Sequence, residues 1–164
     1  MNTQNATLSN TVITPAELLE HWQGHRRLTR CVIEAFPEDE LFSHTIGGMR
    51  TFAEMAAELL AIAGPGLREI VAGAQAELDE NIDFGNSKEE VLRLWDESTE
   101  EMDALWKQVP AERFHEQIKT FGQYEGTVIS SILYFIDNEI HHRGQGYLYL
   151  RSLDVEPPYF WEQN

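Results

Sequence analysis

The chain has 164 residues, of which 42% are hydrophobic and 24% are charged, and this composition excludes a chain that is disordered throughout. Its 28 acidic residues against 12 basic ones give a formal net charge of −16. Because phosphate binding needs a concentrated basic surface, this balance argues against a nucleic-acid partner. No apolar run approaches the ~18 residues of a membrane span, so we expect no membrane partner.

Length and cysteine content predict a single cytoplasmic domain. Residues 1–164 suit one domain, with the polar residues 1–13 expected to be flexible. The N-terminal segment lacks the basic start and apolar run of a signal peptide. The single cysteine, Cys31, cannot form an internal disulfide, which fits a reducing cytoplasm, and its helical context predicts a buried thiol.

Four helices are predicted from caps and apolar periodicity. Thr14, Thr51 and Ser87 are each followed three residues later by a glutamate, the pattern of a capping box, and each precedes apolar residues at helical spacing. Prolines end the first and third helices. The predicted helices span residues 15–36, 52–72, 88–109 and 127–153. We expect residues 37–50 and 73–86 to be connections, and residues 111–126 to be an extended, turn-rich arm.

The last predicted helix has an apolar stripe and a polar face. The stripe consists of Ile129, Ile132, Ile136, Ile140, Tyr147 and Leu150. The other face carries Ser131, Asn138, His142, Gln145 and Tyr149. Asn138 and His142 lie four residues apart, so their side chains point the same way. Such a polar group on an apolar helix indicates a functional site, and a solvated face is the alternative.

Two polar residues on other helices are further candidates. His25 lies in the inward row of the first helix, where it is either a hydrogen-bonded core histidine or a ligand. Glu58 lies at the edge of the buried face of the second helix. Glu54 already has a capping role, whereas Glu58 has none, so Glu58 is either solvent-exposed or functional.

The string His142-Arg143-Gly144-Gln145, followed by Tyr149-Leu150-Arg151 and Pro157-Pro158, resembles the C-terminal signature of the DinB/YfiT-like superfamily. Residues 49–63, MRTFAEMAAELLAIA, resemble the second helix of that superfamily. The resemblance implies an all-α four-helix bundle. It also implies a metal site with His-x-x-x-His on the last helix and a third histidine on the second. Here Asn138 and Glu58 stand at two of these positions, and His142 keeps the third.

The resemblance therefore implies Glu58, Asn138 and His142 as metal ligands, with His25 as the replacement for a lost donor. Carboxylate and imidazole suit zinc, nickel, manganese or iron(II), whereas an asparagine carbonyl is a weak ligand. His141 and Asp137 are expected beside the ligands, joined by a supporting hydrogen bond. A metal with open positions would lower the pKa of a bound water or activate a thiolate.

The implied function is a metal-dependent enzyme of the thiol S-transferase or hydrolase type. Its substrate is expected to be a small molecule, with a thiol as one candidate. A homodimer is expected from the family and from the aromatic tail residues Tyr159, Phe160 and Trp161. The alternative is a dimeric bundle that binds a small ligand or metal without turnover. A di-iron site at the two Glu-x-x-His strings is rejected, because His115 follows a helix-ending proline.

Overall fold

The computed structural model describes residues 12–163, so most of the segment predicted to be flexible lies outside the described residues. Five α-helices, one 3₁₀ turn and two strands follow one another along the chain: α1 (Pro15–Ala35), α2 (Glu38–Ser43), α3 (Phe52–Ala72), α4 (Lys88–Trp106), the 3₁₀ turn (Ala111–His115), β1 (Gln117–Thr120), β2 (Tyr124–Thr127) and α5 (Val128–Ser152). The prediction of a helical fold is confirmed. The four long helices begin and end within three residues of the predicted bounds.

Side-chain caps fix where the long helices begin. Thr14 and Thr51 form complete capping boxes, and the Ser87 and Thr127 hydroxyls accept backbone N–H bonds at the starts of α4 and α5. The helix α3 continues through Pro65, although an interior proline usually kinks or ends a helix. Apolar residues on both sides of Pro65 are buried in the core, and this packing outweighs the ~3 kcal/mol that an interior proline costs.

The four long helices form a bundle in which α1 and α3 each pack against both α4 and α5. One side of α5 therefore faces α1 and the other faces α3, so a wide arc of this helix is buried. Ile140, predicted to lie in the apolar stripe, is 38% exposed. His142 and Tyr149, predicted on the opposite face, are buried. The single-stripe description of the last helix is wrong because α5 contacts two neighbours rather than one.

The arm predicted at residues 111–126 contains an antiparallel hairpin, in which β1 pairs with β2 from Gln117↔Thr127 to Thr120↔Tyr124. Its turn uses left-handed backbone at Phe121 (φ 53°) and Gly122 (φ 66°). The Glu69 carboxylate of α3 accepts the Phe121 N–H at 3.0 and 3.1 Å. This contact attaches the hairpin to the bundle beside α3.

Close packing between α5 and α3 depends on Gly146. A Cβ atom at this position would lie 2.5 Å from a ring carbon of Phe52, so no larger residue fits without movement. A Cβ at Gly144 would meet nothing within 4 Å. Gly146 thus allows the approach that brings polar residues of α5 next to α3.

Two surface features complete the fold. Cys31 is exposed, so the prediction of a buried thiol is wrong. The C-terminal tail folds back on α1, where Arg27 Nε donates to the Gln163 carbonyl at 2.8 Å. Among residues 12–163, no helix combines the length and apolar character that crossing a bilayer requires.

Candidate functional site

One polar group joins α3 to α5. Glu58 Oε1 accepts a hydrogen bond from Asn138 Nδ2 at 3.0 Å and lies 3.1 Å from His142 Nε2. Asn138 and His142 reach the same carboxylate because they are one helical turn apart. We call Arg50, Glu58, Asn138 and His142 the α3-side cluster. The structure thus brings together three of the four residues proposed as ligands.

Arg50, which the sequence did not single out, supplies the positive charge of this cluster. Its Nη2 donates to Glu58 Oε2, and its backbone carbonyl accepts from the Tyr149 hydroxyl at 2.8 Å. Burial alone would raise the pKa of Glu58, but hydrogen bonds from Arg50 and Asn138 and the nearby His142 outweigh it and lower that pKa. Glu58 is therefore ionised at neutral pH.

One nitrogen of the His142 ring is bonded to Gln145, and the other nitrogen faces Glu58. Nδ1 lies 2.7 Å from Gln145 Oε1, while Gln145 Nε2 faces the Met49 sulfur at 3.8 Å. An amide oxygen accepts only, so Nδ1 carries a proton in this arrangement, and Nε2 is the nitrogen directed toward Glu58. At 3.1 Å, Nε2 and Oε1 are close enough either for an Nε2–H hydrogen bond to the carboxylate or for a metal ion bound by both atoms.

The donor set fits a divalent ion held by few protein ligands. Ligand bonds of ~2.0–2.1 Å place two ligand atoms roughly 3 Å apart, close to the 3.1 Å between Glu58 Oε1 and His142 Nε2. Asn138 directs its Nδ2 toward Glu58, so its amide must turn over to offer the oxygen. Within the described part of the chain, no three His, Cys, Asp or Glu side chains are grouped to hold a metal. The cluster therefore offers two strong donors and one weak donor.

His25 does not contact these residues. Its Nε2 lies 3.2 Å from His21 Nε2, and its Nδ1 lies 3.0 Å from Arg143 Nη2. A guanidinium only donates, so Nδ1 accepts and the neutral ring carries its proton on Nε2, which leaves no lone pair for a metal. Burial, with contributions from Arg143 and His21, lowers the pKa of His25 to about 4. The expectation that His25 faces the proposed ligands is not met.

A second polar group lies between α5 and α1, and we call it the α1-side cluster: Arg26, Thr29 and His25 of α1 with Glu139 and Arg143 of α5. Thr29 Oγ1 donates to Glu139 Oε1 at 2.7 Å. Arg143 Nη1 donates at 3.3 Å to the His25 carbonyl and to Thr29 Oγ1. Arg26 Nη1 lies 3.9 Å from Glu139 Oε2, an ion pair without a hydrogen bond.

The α1-side cluster is a buried, structural group. Its five side chains belong to residues that are at most 7% exposed. Burial raises the pKa of Glu139 and lowers that of Arg26 to about 10, although the opposite charges partly offset both effects. The Arg26 guanidinium also lies 3.5 Å from the centroid of the Trp95 ring. These groups are held by the bundle rather than offered to a ligand.

The two residues expected to support the ligands lie at the surface. Asp137 and His141 are both exposed. The hydrogen bonds of residues 12–163 include none between these two side chains. The His141 ring lies against that of His142, with centroids 5.1 Å apart and planes at 63°. His141 is therefore a neighbour of the candidate ligand, without the predicted partner.

A cleft of about 300 Å³ opens beside Glu58, at the low end of the volumes of ligand sites. Four parts of the chain line it: α3 with Glu58 and Ile62, the loop before α4 with Leu78 and Glu80, the hairpin with Thr120, Phe121, Tyr124 and Glu125, and α5 with Ser130, Ser131, Tyr134 and Phe135. Glu58 belongs to both the cleft and the α3-side cluster. The sequence does not predict this cleft, because one wall is the unpredicted hairpin.

A sequence profile of the DinB family matches residues 1–163. The chain belongs to the DinB family. Among solved structures, a DinB-like protein from Bacillus cereus ATCC 10987 superposes with a TM-score of 0.71 at 14% identity, covering 87% of this chain and 95% of that one. The DinB-like protein YjoA from Bacillus subtilis gives a TM-score of 0.70 at 18% identity, covering 87% and 96%. No curated protein matches.

At these identities, the likeness of this DinB-family chain to the two solved proteins shows the fold. Glu58 and Asn138, which differ from the histidines expected from the family resemblance, lie within that fold on neighbouring helices α3 and α5. The departures at these two positions therefore concern the chemistry of the site and leave the bundle intact.

Proposed function

We propose that this DinB-family protein is a metal-dependent enzyme that acts on a small molecule bound in the cleft beside Glu58. Glu58 and His142 are the principal ligands in this proposal, and Asn138 is a weaker third. The supporting observation is the contact between an ionised carboxylate and a ring nitrogen at 3.1 Å, with the ring proton on the far side. Metal ligation through Nε2 with Nδ1–H bonded to an oxygen acceptor is the usual arrangement of a metal-binding histidine.

The residues of the chain have separate tasks in this proposal. Gln145 holds the Nδ1 proton and so fixes the orientation of His142. Arg50 binds the Oε2 atom of Glu58, so Oε1 is the oxygen directed toward His142, and the guanidinium competes with an ion for the charge of the carboxylate. Zinc, nickel, manganese or iron(II) bound there would supply Lewis acidity, lowering the pKa of a bound water or thiol. Thiol S-transfer and hydrolysis both use such a nucleophile, and a thiol is one candidate substrate.

A homodimer is part of the proposed function. The tail presents Tyr159, Phe160 and Trp161 with 51–65% of each residue exposed, and the rings of Tyr159 and Trp161 stack with centroids 4.9 Å apart. Exposed aromatic groups of this kind are typical of interface cores. Sedimentation at tens of micromolar tests this, because a protein that remains monomeric at such concentrations contradicts it. We place the protein in the cytoplasm on its cysteine content.

A second candidate function is favoured by the Arg50–Glu58 ion pair. The guanidinium already neutralises one oxygen of the only carboxylate in the α3-side cluster. With that charge satisfied, the cleft would bind a small ligand without a metal and without turnover. Nε2–H of His142 would then donate to the Glu58 carboxylate, and this contact would need no metal ion.

Calorimetric titration of chelator-treated protein with zinc, nickel and manganese separates these functions. The metal-enzyme proposal expects one ion per chain, loss of binding in His142→Ala, and tighter binding in Asn138→His, which adds a strong donor. His141→Ala is the matched control, since it removes the adjacent exposed ring and should weaken binding far less. If the wild type binds no ion and Asn138→His gains none, the ligand-binding function is the correct one.

A further inference from the structure

The walls of the cleft beside Glu58 carry negative charge. Three of its lining residues are Glu58, Glu80 and Glu125, and none is a lysine, arginine or histidine. Arg50 pairs with Glu58 and Glu80 from outside the lining. Lys119 lies 3.9 Å from Glu125, but both side chains are more than half exposed, so water screens this pair. A ligand anion would meet three carboxylates and no cationic side chain in the lining of the cleft.

Aromatic rings occupy the mouth of the same cleft. Tyr124 and Tyr134 lie nearly parallel, with centroids 6.4 Å apart and planes at 25°. Each residue is about half exposed, at 52% and 53%. A cation is attracted to a tyrosine face within ~6 Å of the ring centroid, so one cation beside this pair can interact with both rings. Burial raises the pKa of Tyr134, and the nearby Tyr124, Glu58 and Glu80 contribute in the same direction.

The inner end of the cleft suits an apolar body. Phe121 and Phe135 are buried there, with ring centroids 6.4 Å apart. The hydroxyls of Thr120 and Ser131 are hydrogen-bonded to each other at 3.0 Å, so each already has one polar partner. At ~30 Å³ per water molecule, a volume of about 300 Å³ holds roughly ten waters. This space fits a single small ring or a short branched chain.

We propose that the cleft binds a small organic cation, an amine or quaternary ammonium carried on an apolar body. The cationic end lies beside the two tyrosines and near Glu125, and the apolar body lies against the two phenylalanines. This proposal names the substrate class of the proposed function. It rests on that function because it takes the cleft to be the place where the substrate binds. The charge preference itself requires no metal, so the two proposals can fail separately.

Three ligands with the same phenyl body test the charge preference: 2-phenylethylamine, 2-phenylethanol and 3-phenylpropanoate. Their affinities for the full-length chelator-treated protein would be measured by calorimetry or ligand-detected NMR, and again after zinc addition. We expect the amine to bind at least about tenfold more tightly than the alcohol, and the carboxylate to bind most weakly of the three. The proposal is overturned if the alcohol or carboxylate binds as well as the amine, or if none of the three binds.

Two pairs of variants locate the cation. Glu125→Gln should weaken amine binding severalfold and leave alcohol binding unchanged, whereas Glu100→Gln removes an exposed carboxylate outside the cleft and should change neither. Tyr134→Leu should weaken the amine about three- to fivefold, and Tyr134→Phe, which keeps the ring, should not. Equal effects within either pair would overturn the placement. If His142→Ala loses zinc binding but still prefers the amine, the result bears on the metal proposal alone.

Discussion

Helix α5 carries two polar clusters that begin at adjacent residues, Asn138 and Glu139, and they differ in access. Every residue of the α1-side cluster is at most 7% exposed, and its carboxylate is shared among Thr29 and two arginines. The α3-side cluster adjoins a cleft and places a histidine nitrogen 3.1 Å from an ionised carboxylate. Polar residues inside a helical bundle are thus not a sign of function in themselves. A histidine–carboxylate contact beside accessible space is the more informative feature.

The first test of this difference is Arg26→Ala, which leaves the Glu139 charge buried without its ion-pair partner. Breaking a buried pair in this way typically costs about 3–5 kcal/mol, so we expect a loss of unfolding free energy of that order in urea titrations. Arg27→Ala is the matched control, since its exposed pair with Glu20 and its one hydrogen bond to the Gln163 carbonyl are together worth about 1–2 kcal/mol. Equal losses in the two variants would show that the α1-side cluster is not an electrostatic unit.

Acid sensitivity gives the second test. The pKa of His25 is about 4 in the folded protein, below the ~6.5 of an unfolded chain, so the unfolded state binds more protons between these values. Stability from this group is complete above pH ~6.5 and decreases by up to about 3 kcal/mol as the pH falls toward 4. The raised pKa of Glu139 acts in the opposite direction and is present in every variant compared.

Substitution isolates the contribution of His25. His25→Gln should flatten the dependence of unfolding free energy on pH between 7 and 4.5, measured by urea denaturation. His141→Gln removes an exposed histidine on α5 and should leave the slope of the wild type unchanged. A wild-type slope in His25→Gln would mean that this ring titrates normally and that the α1-side cluster is open to water.

Removing single hydrogen bonds from the two clusters should show the same difference in access, with smaller losses of unfolding free energy. Thr29→Val removes the only hydroxyl that donates to the Glu139 carboxylate in the α1-side cluster and should cost about 1–3 kcal/mol, because the buried acceptor finds no water. Asn138→Ala removes a donor to Glu58 at a half-buried position, where water can replace it, and should cost less than about 1 kcal/mol. Equal costs, read from urea midpoints, would contradict the difference in access.

The sequence predicted the helices well because their signals are local. Capping residues such as Thr51 and the apolar repeat after them determine a helix without reference to the rest of the chain. The hairpin carries weaker signals, since its strands have four residues each and its turn places the non-glycine Phe121 at positive φ. That turn is held by Glu69 from a distant helix, a contact that no local pattern reports.

The site was predicted in part. The family resemblance indicated Glu58, Asn138 and His142, and the structure places them in contact. Periodicity correctly predicted that His25 points inward, but which residue it meets depends on Arg143 of a helix more than 100 residues away. Arg50 lies just before helix α3 begins, in a segment without helical periodicity. Its ion pair with Glu58 forms only when α3 and the preceding segment are folded.

The smallest effect on stability, and the sharpest test of the α3-side cluster, is expected from Arg50→Ala. The Arg50–Glu58 pair is partly exposed, at 43% and 14% of the side chains, so its loss should lower the unfolding free energy by about 1 kcal/mol or less. Arg68→Ala breaks a similar pair between α3 and α4, with Glu101, and should have a comparable effect on stability.

Removing the Arg50 guanidinium leaves the Glu58 carboxylate to be neutralised by another cation. Arg50→Ala should therefore bind zinc more tightly than the wild type, while Arg68→Ala should not. Calorimetric titration measures both, and weaker zinc binding in Arg50→Ala would show that the arginine holds Glu58 in position for the ion rather than competing with it.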